Sequence, residues 1–377
     1  MRFDWTREQK AAYDDTLAAV RDRFPEPIHD RCFDRKEWRT LGDLGLLGLS
    51  IPAAYGGGGL GALDTARQVE ALGRGCADTG IVFASSAHLF ACAMPVVTFA
   101  TEEARRSFLP GMASGELIAG NAMTEEDAGS DVSRLAVTAT ATTGGFVLNG
   151  TKSFVTNGPV SDVYVTYATT DPHAGHLGVT GFVVPRTAEG VRVGEPFVKM
   201  GLTSVPAGTV TFEDCFVPDA HVLGAPGQGG AIFQHSMGWE RACLFAGYLG
   251  LLDRMQERAV EHARTRRQFG APIGDNQAVS HTLADMKVRL ESARLLLYRA
   301  CWEMDTGAQS TLNVALSKLA VSEAALAGAL DTVRIYGARG YLRDAGIETL
   351  LRDTVPATVF SGTSDIQRVI IARELGL

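Results

Sequence analysis

The hydrophobic period of this chain changes twice, and that rules out most architectures. In REQKAAYDDTLAAVRDRF and LDTARQVEALGRGC, apolar residues recur every three to four positions, the spacing of amphipathic helices. PAAYGGGGLG, Pro52 to Gly61, is a flexible connection between helices. From Ala122 to about Val222 the pattern becomes alternation. LAVTATATTGGFVLNGTKSFVTNG, DVYVTYATTD, HLGVTGFVVP and AGTVTFEDCFVP set β-branched residues between turn signals such as Gly144-Gly145 and Asn149-Gly150. From about Gly227 helical spacing returns in FQHSMGWERACLFAGYLGLLDRMQERAVEHART, NQAVSHTLADMKVRLESARLLLYRACWEMD and TLNVALSKLAVSEAALAGALDTVRIYG. Such lengths suit an antiparallel bundle. We read an α+β chain: an N-terminal helical domain over 1–118, a β-barrel or sandwich over 119–226, and a helical bundle over 227–377. No GxGxxG follows a strand, which disfavours a Rossmann nicotinamide site.

Composition narrows the function classes. A net charge of −8 without runs of like charge argues against nucleic-acid binding, which needs a clustered basic face. Six scattered cysteines with no Cys-x-x-Cys pair make metal and disulfide readings weak, so reduced thiols in a cytoplasmic protein are expected. The start, MRFDWTREQK, carries charges where a signal peptide would be apolar, and export is not expected. Thr79 to Thr101 is uncharged and long enough to span a bilayer. It holds two serines, His88 and a proline, and lacks flanking cationic anchors, so a buried core helix is the better reading and no membrane partner is expected.

Four short stretches carry the chemistry: MTEEDAGSD (Met123 to Asp131), KSFVTNG (Lys152 to Gly158), RTRRQFG (Arg264 to Gly270) and FSGTSDIQR (Phe360 to Arg368). Their order and spacing resemble the acyl-CoA dehydrogenase family over essentially the whole chain. The resemblance implies a C-terminal four-helix bundle, non-covalent FAD, a homotetramer, and α,β-dehydrogenation of a thioester. It places Met123 and Thr124 on the first flavin-contacting strand and Thr156 on the second. A flavin needs hydrogen bonds at its pyrimidine edge and N5, and short polar residues at strand ends supply them. Phe154 stands where the family usually has tryptophan, keeping an aromatic face without the indole N–H. Arg266 matches an arginine that reaches the FAD pyrophosphate of a neighbouring subunit, a role suited to a guanidinium fork. Phe269, Gln277, Gly337, Thr363 and Asp365 also fall on cofactor positions of the family. In IYGARGY, Ala338 and Arg339 replace the usual middle of a glycine-rich segment, and Arg339 either adds a phosphate contact or points outward. Gly129 and Ser130 match the turn that passes the pantetheine arm, whereas Glu126 and Asp127 depart from the family's proline and glycine.

Such a reaction needs a base for the α-proton, best supplied by a carboxylate in a desolvated pocket. The family often places that glutamate where this chain has Ser361, and a serine cannot substitute without a partner base. Isovaleryl- and long-chain-type members carry it on an earlier helix, where MGWERACLFAG offers Glu240 and Arg241. Glu240 is the expected base, against the alternative of a structural ion partner, and Arg241 is expected to hold the pocket. The Ser361 backbone N–H is the expected donor to the thioester carbonyl, as in an oxyanion hole.

Gly238 stands where several CoA-using relatives have aspartate, so acyl-CoA and carrier-protein-bound acyl or aminoacyl thioesters stay open as substrates. The electron acceptor, an electron-transferring flavoprotein or oxygen, is also open. Two alternatives share the fold: a flavin monooxygenase or oxidase, and a catalytically inactive FAD-binding assembly protein.

Overall fold

The computed structural model describes residues 4–24, 32–308 and 310–377, so the first three residues of the charged N-terminal stretch lie outside the described residues. Thr6 and Gln9 form a reciprocal capping box that starts α1 (Arg7–Arg23). Asp34 caps α2 (Arg35–Asp43) by accepting from the Lys36 N–H. After the glycine-rich connection comes α3 (Ala62–Gly75), and Asp78 then caps α4 (Thr79–Ala87) at the Gly80 and Ile81 amides. The helix continues through a π-helical turn, His88–Ala93, into α5 (Met94–Phe99), and α6 (Glu102–Ser114) completes the helical layer. The bilayer-length apolar stretch is therefore α4 to α5. Its most apolar window is 94% buried inside the protein, as a core helix must be. His88 joins this helix to the sheet. The Ala119 N–H donates to its Nδ1 at 2.9 Å, its Nε2 lies 3.1 Å from the Met112 carbonyl oxygen, and burial pushes its imidazole down to about 4.

The middle layer contains β1 (Ala119–Ala122), β2 (Thr138–Thr142), β3 (Gly145–Thr156), β4 (Val163–Thr169), β5 (Val179–Pro185), β6 (Val191–Val193), β7 (Ala207–Pro218) and β8 (Val222–Leu223). Their order is β6-β7-β3-β1-β4-β5-β8, with β2 pairing both β3 and β4. β1 and β4 run parallel, whereas β3 and β7, and β4 and β5, are antiparallel. Two strands separate β3 from β5 in this order, yet Phe146 and Phe182 meet edge to face at 5.4 Å. The sheet therefore curls around its own core of Leu148, Tyr164, Phe212 and Val222.

The last part is helical: α7 (Gly229–Trp239), a second π-helical turn (Glu240–Leu244), and α8 (Phe245–Thr265). A tight hairpin, β9 (Arg267–Gln268) and β10 (Ala271–Pro272), leads to α9 (Gln277–Asp305) and α10 (Thr311–Tyr336). The shorter α11 (Ala338–Tyr341), α12 (Ile347–Thr354) and α13 (Ser364–Glu374) follow. α10 packs against α8, α9 and α13, burying Leu249, Leu297 and Val321. Each such side chain contributes roughly 1.5–3 kcal/mol relative to exposure. α3 crosses α8 backbone to backbone. A Cβ on Gly73 would overlap the Gly247 carbonyl, and one on Gly250 would overlap the Glu70 carbonyl. From α3 toward α9 the buried Glu70 carboxylate accepts from Arg294 at 2.8 Å and from the Tyr298 hydroxyl at 2.7 Å.

Candidate active site

Two helices widen where they meet at the centre of the protein. A π turn holds one residue more than the α ladder and re-aims the side chains around it. The turns His88–Ala93 and Glu240–Leu244 lie against each other, and the rings of Phe90 and Trp239 stack at 6.3 Å with an interplanar angle of 8°. Glu240 opens the second turn and is only 7% exposed. Burial raises its carboxyl above the usual carboxylate range. A hydrogen bond from Ser361 and the charges of Arg241 and Lys318 oppose that rise.

The Ser361 hydroxyl donates to Glu240 Oε1. Arg241 turns toward the same loop, and its Nε donates to the Ser361 carbonyl at 2.9 Å. Gln367 donates to that carbonyl at 3.3 Å and to Gly362 O at 2.9 Å. On the other side Phe360 wedges between Phe83, at 4.4 Å between ring centroids, and Phe245, at 5.4 Å. The loop needs this restraint because Ser361 has φ +57°, a left-handed conformation that costs a non-glycine residue about 1–3 kcal/mol. Among the described residues the Ser361 N–H donates to no protein acceptor, while its O–H holds the glutamate.

The sheet supplies a second group. Met123 is buried and Thr124 half-buried just after β1. A buried ion pair fixes them: Lys152 Nζ donates to Glu125 Oε1 at 2.7 Å and to the Met123 carbonyl at 3.1 Å. Glu125 also accepts from the Ala136 N–H at 2.6 Å and the Val137 N–H at 3.1 Å, so the pair is fully hydrogen-bonded. The Ser153 N–H donates to Thr124 O at 2.8 Å, tying both stretches together, and Thr156 pairs with Asn121 of β1. Between them β3 bulges. Phe154 takes φ +55° and stands 58% exposed, its ring 5.4 Å from that of Phe197.

Other expected cofactor residues sit elsewhere on the chain. Arg266 ends α8, Phe269 lies on the β9–β10 hairpin, Gln277 opens α9 and Gly337 follows α10. Among the described residues no hydrogen bond, ion pair or ring contact joins them to the sheet group. Phe269 is fully exposed at φ +51°, and Gly337, at φ +60°, has open space where a Cβ would be. His262 stacks on Tyr336 at 4.0 Å and is pushed down first by burial, then by the charges of Arg266 and Arg339. Both arginines are exposed, and their charges reach the same imidazole. Exposed rings, two cations near one imidazole and an open glycine turn fit a flavin dinucleotide.

The remaining expectations have simple placements. Thr363 caps α13, accepting from the Ile366 N–H at 3.2 Å. Asp365 is exposed and pairs with Arg368 at 3.0 Å. Gly129 and Ser130 are exposed beside a turn closed by the Glu125 N–H and the Ala128 carbonyl at 3.1 Å, with Glu126 and Asp127 at its exposed tip. Gly238 faces open space one turn before the glutamate's neighbours. Sequence reasoning missed the Ser361 hydroxyl contact, Gln367, Lys318 and the Lys152–Glu125 pair. Lys152 and Glu125 lie inside quoted motifs, and a lysine within VALSKLAVSEAA is a readable signal of a buried charge.

Sequence models of the acyl-CoA dehydrogenase N-terminal, middle and C-terminal domains match residues 6–116, 120–215 and 227–376. The chain belongs to the acyl-CoA dehydrogenase family, and it is an FAD-dependent oxidoreductase of thioester-linked acyl groups. It is 59% identical over 376 residues, 100% of this chain and 99% of the relative, to an L-prolyl-[peptidyl-carrier protein] dehydrogenase of Pseudomonas fluorescens. The structure of PigA with FAD and proline matches with a TM-score of 0.98 at 40% identity, covering 100% of both chains. The prolyl acyl carrier protein oxidase AnaB matches with a TM-score of 0.96 at 38% identity, covering 99% of this chain and 100% of that one.

Proposed function

We propose that the protein desaturates the Cα–Cβ bond of a prolyl group carried as a thioester on a carrier protein, with Glu240 as the base. The observation that carries the base assignment is a buried carboxylate held by the Ser361 hydroxyl. The substrate reading rests on full-length identity of 59% to an L-prolyl-[peptidyl-carrier protein] dehydrogenase.

Glu240 removes the α-proton. Its raised affinity for a proton suits it to that task near neutral pH, and the Ser361 O–H fixes which carboxylate oxygen is free. Negative charge then develops on the thioester oxygen. The Ser361 N–H, which among the described residues has no protein acceptor, is available to donate to it, while Arg241 and Gln367 hold the loop through the Ser361 carbonyl. FAD, once bound, would supply at its N5 the acceptor for the hydride that leaves the β-carbon. Met123, Thr124, Phe154 and Thr156 would hold its ring system, with Thr363 and Asp365 as further cofactor residues. Arg266, Arg339, Phe269, Gln277 and Gly337 would meet the dinucleotide of a neighbouring subunit in a homotetramer.

The arm's entrance favours a carrier over CoA. Glu126, Asp127 and Asp131 are exposed around Gly129 and Ser130, and they repel the several phosphate charges of a CoA nucleotide. A carrier-bound pantetheine brings a single phosphodiester charge.

The test is anaerobic bleaching of the oxidised flavin by prolyl-carrier protein, prolyl-CoA and isovaleryl-CoA, in wild type and Glu240→Gln. Bleaching by the carrier substrate, lost in the variant with flavin retained, supports the whole assignment. Preferential bleaching by a CoA thioester overturns the substrate, and bleaching that survives Glu240→Gln overturns the base. Reoxidation by air compared with an electron-transferring flavoprotein identifies the electron acceptor.

A further inference from the structure

Lys318 lies in α10 and is wholly buried. Among the described residues its ammonium donates no hydrogen bond. Nζ instead stands 5.2 Å from the centroid of the Phe245 ring, the first residue after the π turn that carries Glu240. A buried ammonium without a partner is costly, and the ring face compensates only part of its lost hydration. The charged groups facing it, among the described residues, are Glu240 and Arg241 of the π turn and Glu323 of its own helix. Glu323 is drawn away toward Arg368 of α13, at 3.5 Å. Arg241 is committed through Nε to the Ser361 carbonyl. That leaves Lys318 as the cation of this cluster with no hydrogen-bonded duty, beside a carboxylate that burial makes harder to ionise.

We infer that Lys318 is a positioning residue for the base: its uncommitted ammonium, packed on Phe245 behind the π turn, keeps Glu240 ionised and ready to take the substrate's α-proton. This rests on the reading of Glu240 as the base. Burial first, then the like charge of Arg241, pushes Lys318 down to about 8, while Lys318 in turn draws the Glu240 carboxyl back toward the ionised form. At pH 7 the ammonium is therefore mostly charged, which the role requires.

Removing the charge makes Glu240 harder to ionise, so the acid limb of kcat/KM must move to higher pH. Lys318→Gln, as FAD-loaded enzyme, is expected to move that limb upward by about one unit, a tenfold loss below it. Lys318→Arg, which keeps the charge, is expected to restore most of the shift. A second measurement is independent of turnover: thermal midpoints at pH 7 for wild type, Lys318→Gln, Glu240→Gln and the double variant. The lysine change should lower the midpoint more in the wild-type background than in the Glu240→Gln background. An unmoved acid limb, or an equal cost in both backgrounds, overturns the inference. Turnover retained by Glu240→Gln removes the base reading instead, and the thermal cycle still reports whether Lys318 and Glu240 are coupled.

Discussion

Replacing Ser361 by alanine isolates the contact that links the two chain segments of the site. In the folded protein the serine hydroxyl donates to a carboxylate that is otherwise deprived of water. A hydrogen bond to an ionised group contributes about 1.5–3 kcal/mol, and one to a neutral group about 0.5–1.5 kcal/mol. The ionised glutamate thus loses roughly 1–1.5 kcal/mol more than the protonated one when the hydroxyl is removed. At 1.36 kcal/mol per unit, the Glu240 carboxyl rises by about one unit. The sign follows from the chemistry: a base that holds its proton more tightly is active only at higher pH. The acid limb of kcat/KM, measured with a prolyl-carrier thioester and an artificial electron acceptor, should therefore shift up by about one unit. Ser361→Gly is the companion variant, because it removes the same hydroxyl while relieving the left-handed strain at φ +57°. Limbs that coincide with wild type in both variants, or that move to lower pH, would refute the assignment of the hydroxyl to the ionised base.

Other expectations follow from the same geometry. Glu240→Gln should lower the rate of α-proton removal by about 10²–10⁴-fold, read as single-turnover flavin bleaching, with FAD still bound. Lys152→Met leaves Glu125 buried and uncompensated and should cost about 3–5 kcal/mol in urea unfolding, with weakened FAD retention; adding Glu125→Met should recover part of that loss. Asp353, which accepts from the Leu202 N–H at 2.6 Å, is pushed up to about 7, chiefly by burial. A raised carboxyl stabilises the fold at acid pH and withdraws that stability as pH rises through about 7. Asp353→Asn should therefore flatten the fall in thermal midpoint between pH 5 and pH 8, as scanning calorimetry would record. Gly250→Ala, whose Cβ would overlap the Glu70 carbonyl, should cost about 1–3 kcal/mol or more by forcing α3 from α8.

The order of layers was legible because it depends on period alone. Alternation over 122–222 and helical spacing on either side are local properties, and they match the strands from Ala119 to Leu223 and the helices flanking them. Glu240 was legible as a carboxylate among Trp239, Cys243, Leu244 and Phe245. Its partner was not, because Ser361 lies 121 positions away and no local pattern encodes that distance. The π turns were equally hidden: one extra residue within HLFACA or ERACL does not disturb the pattern of a stretch in which every residue is buried. Arg266, Phe269 and Gln277 were singled out by motif, and among the described residues nothing in the sheet group touches them; the period of the chain says nothing about what they meet. Asp365 was placed by its motif position as well, and its exposed carboxylate pairs with Arg368, three residues on in the same helix.

The hydroxyl-to-carboxylate contact between residues 361 and 240 means that these two positions address one point in space. A position-by-position comparison of sequences would count the carboxylate as missing at one site and unremarkable at the other, although the point itself is filled. What must be inherited is a pair, read jointly. Either segment can supply the acid, provided the other leaves room and offers a donor. Exchange of the two side chains, Glu240→Ser with Ser361→Glu, is thus a shorter evolutionary step than the span of chain between them suggests.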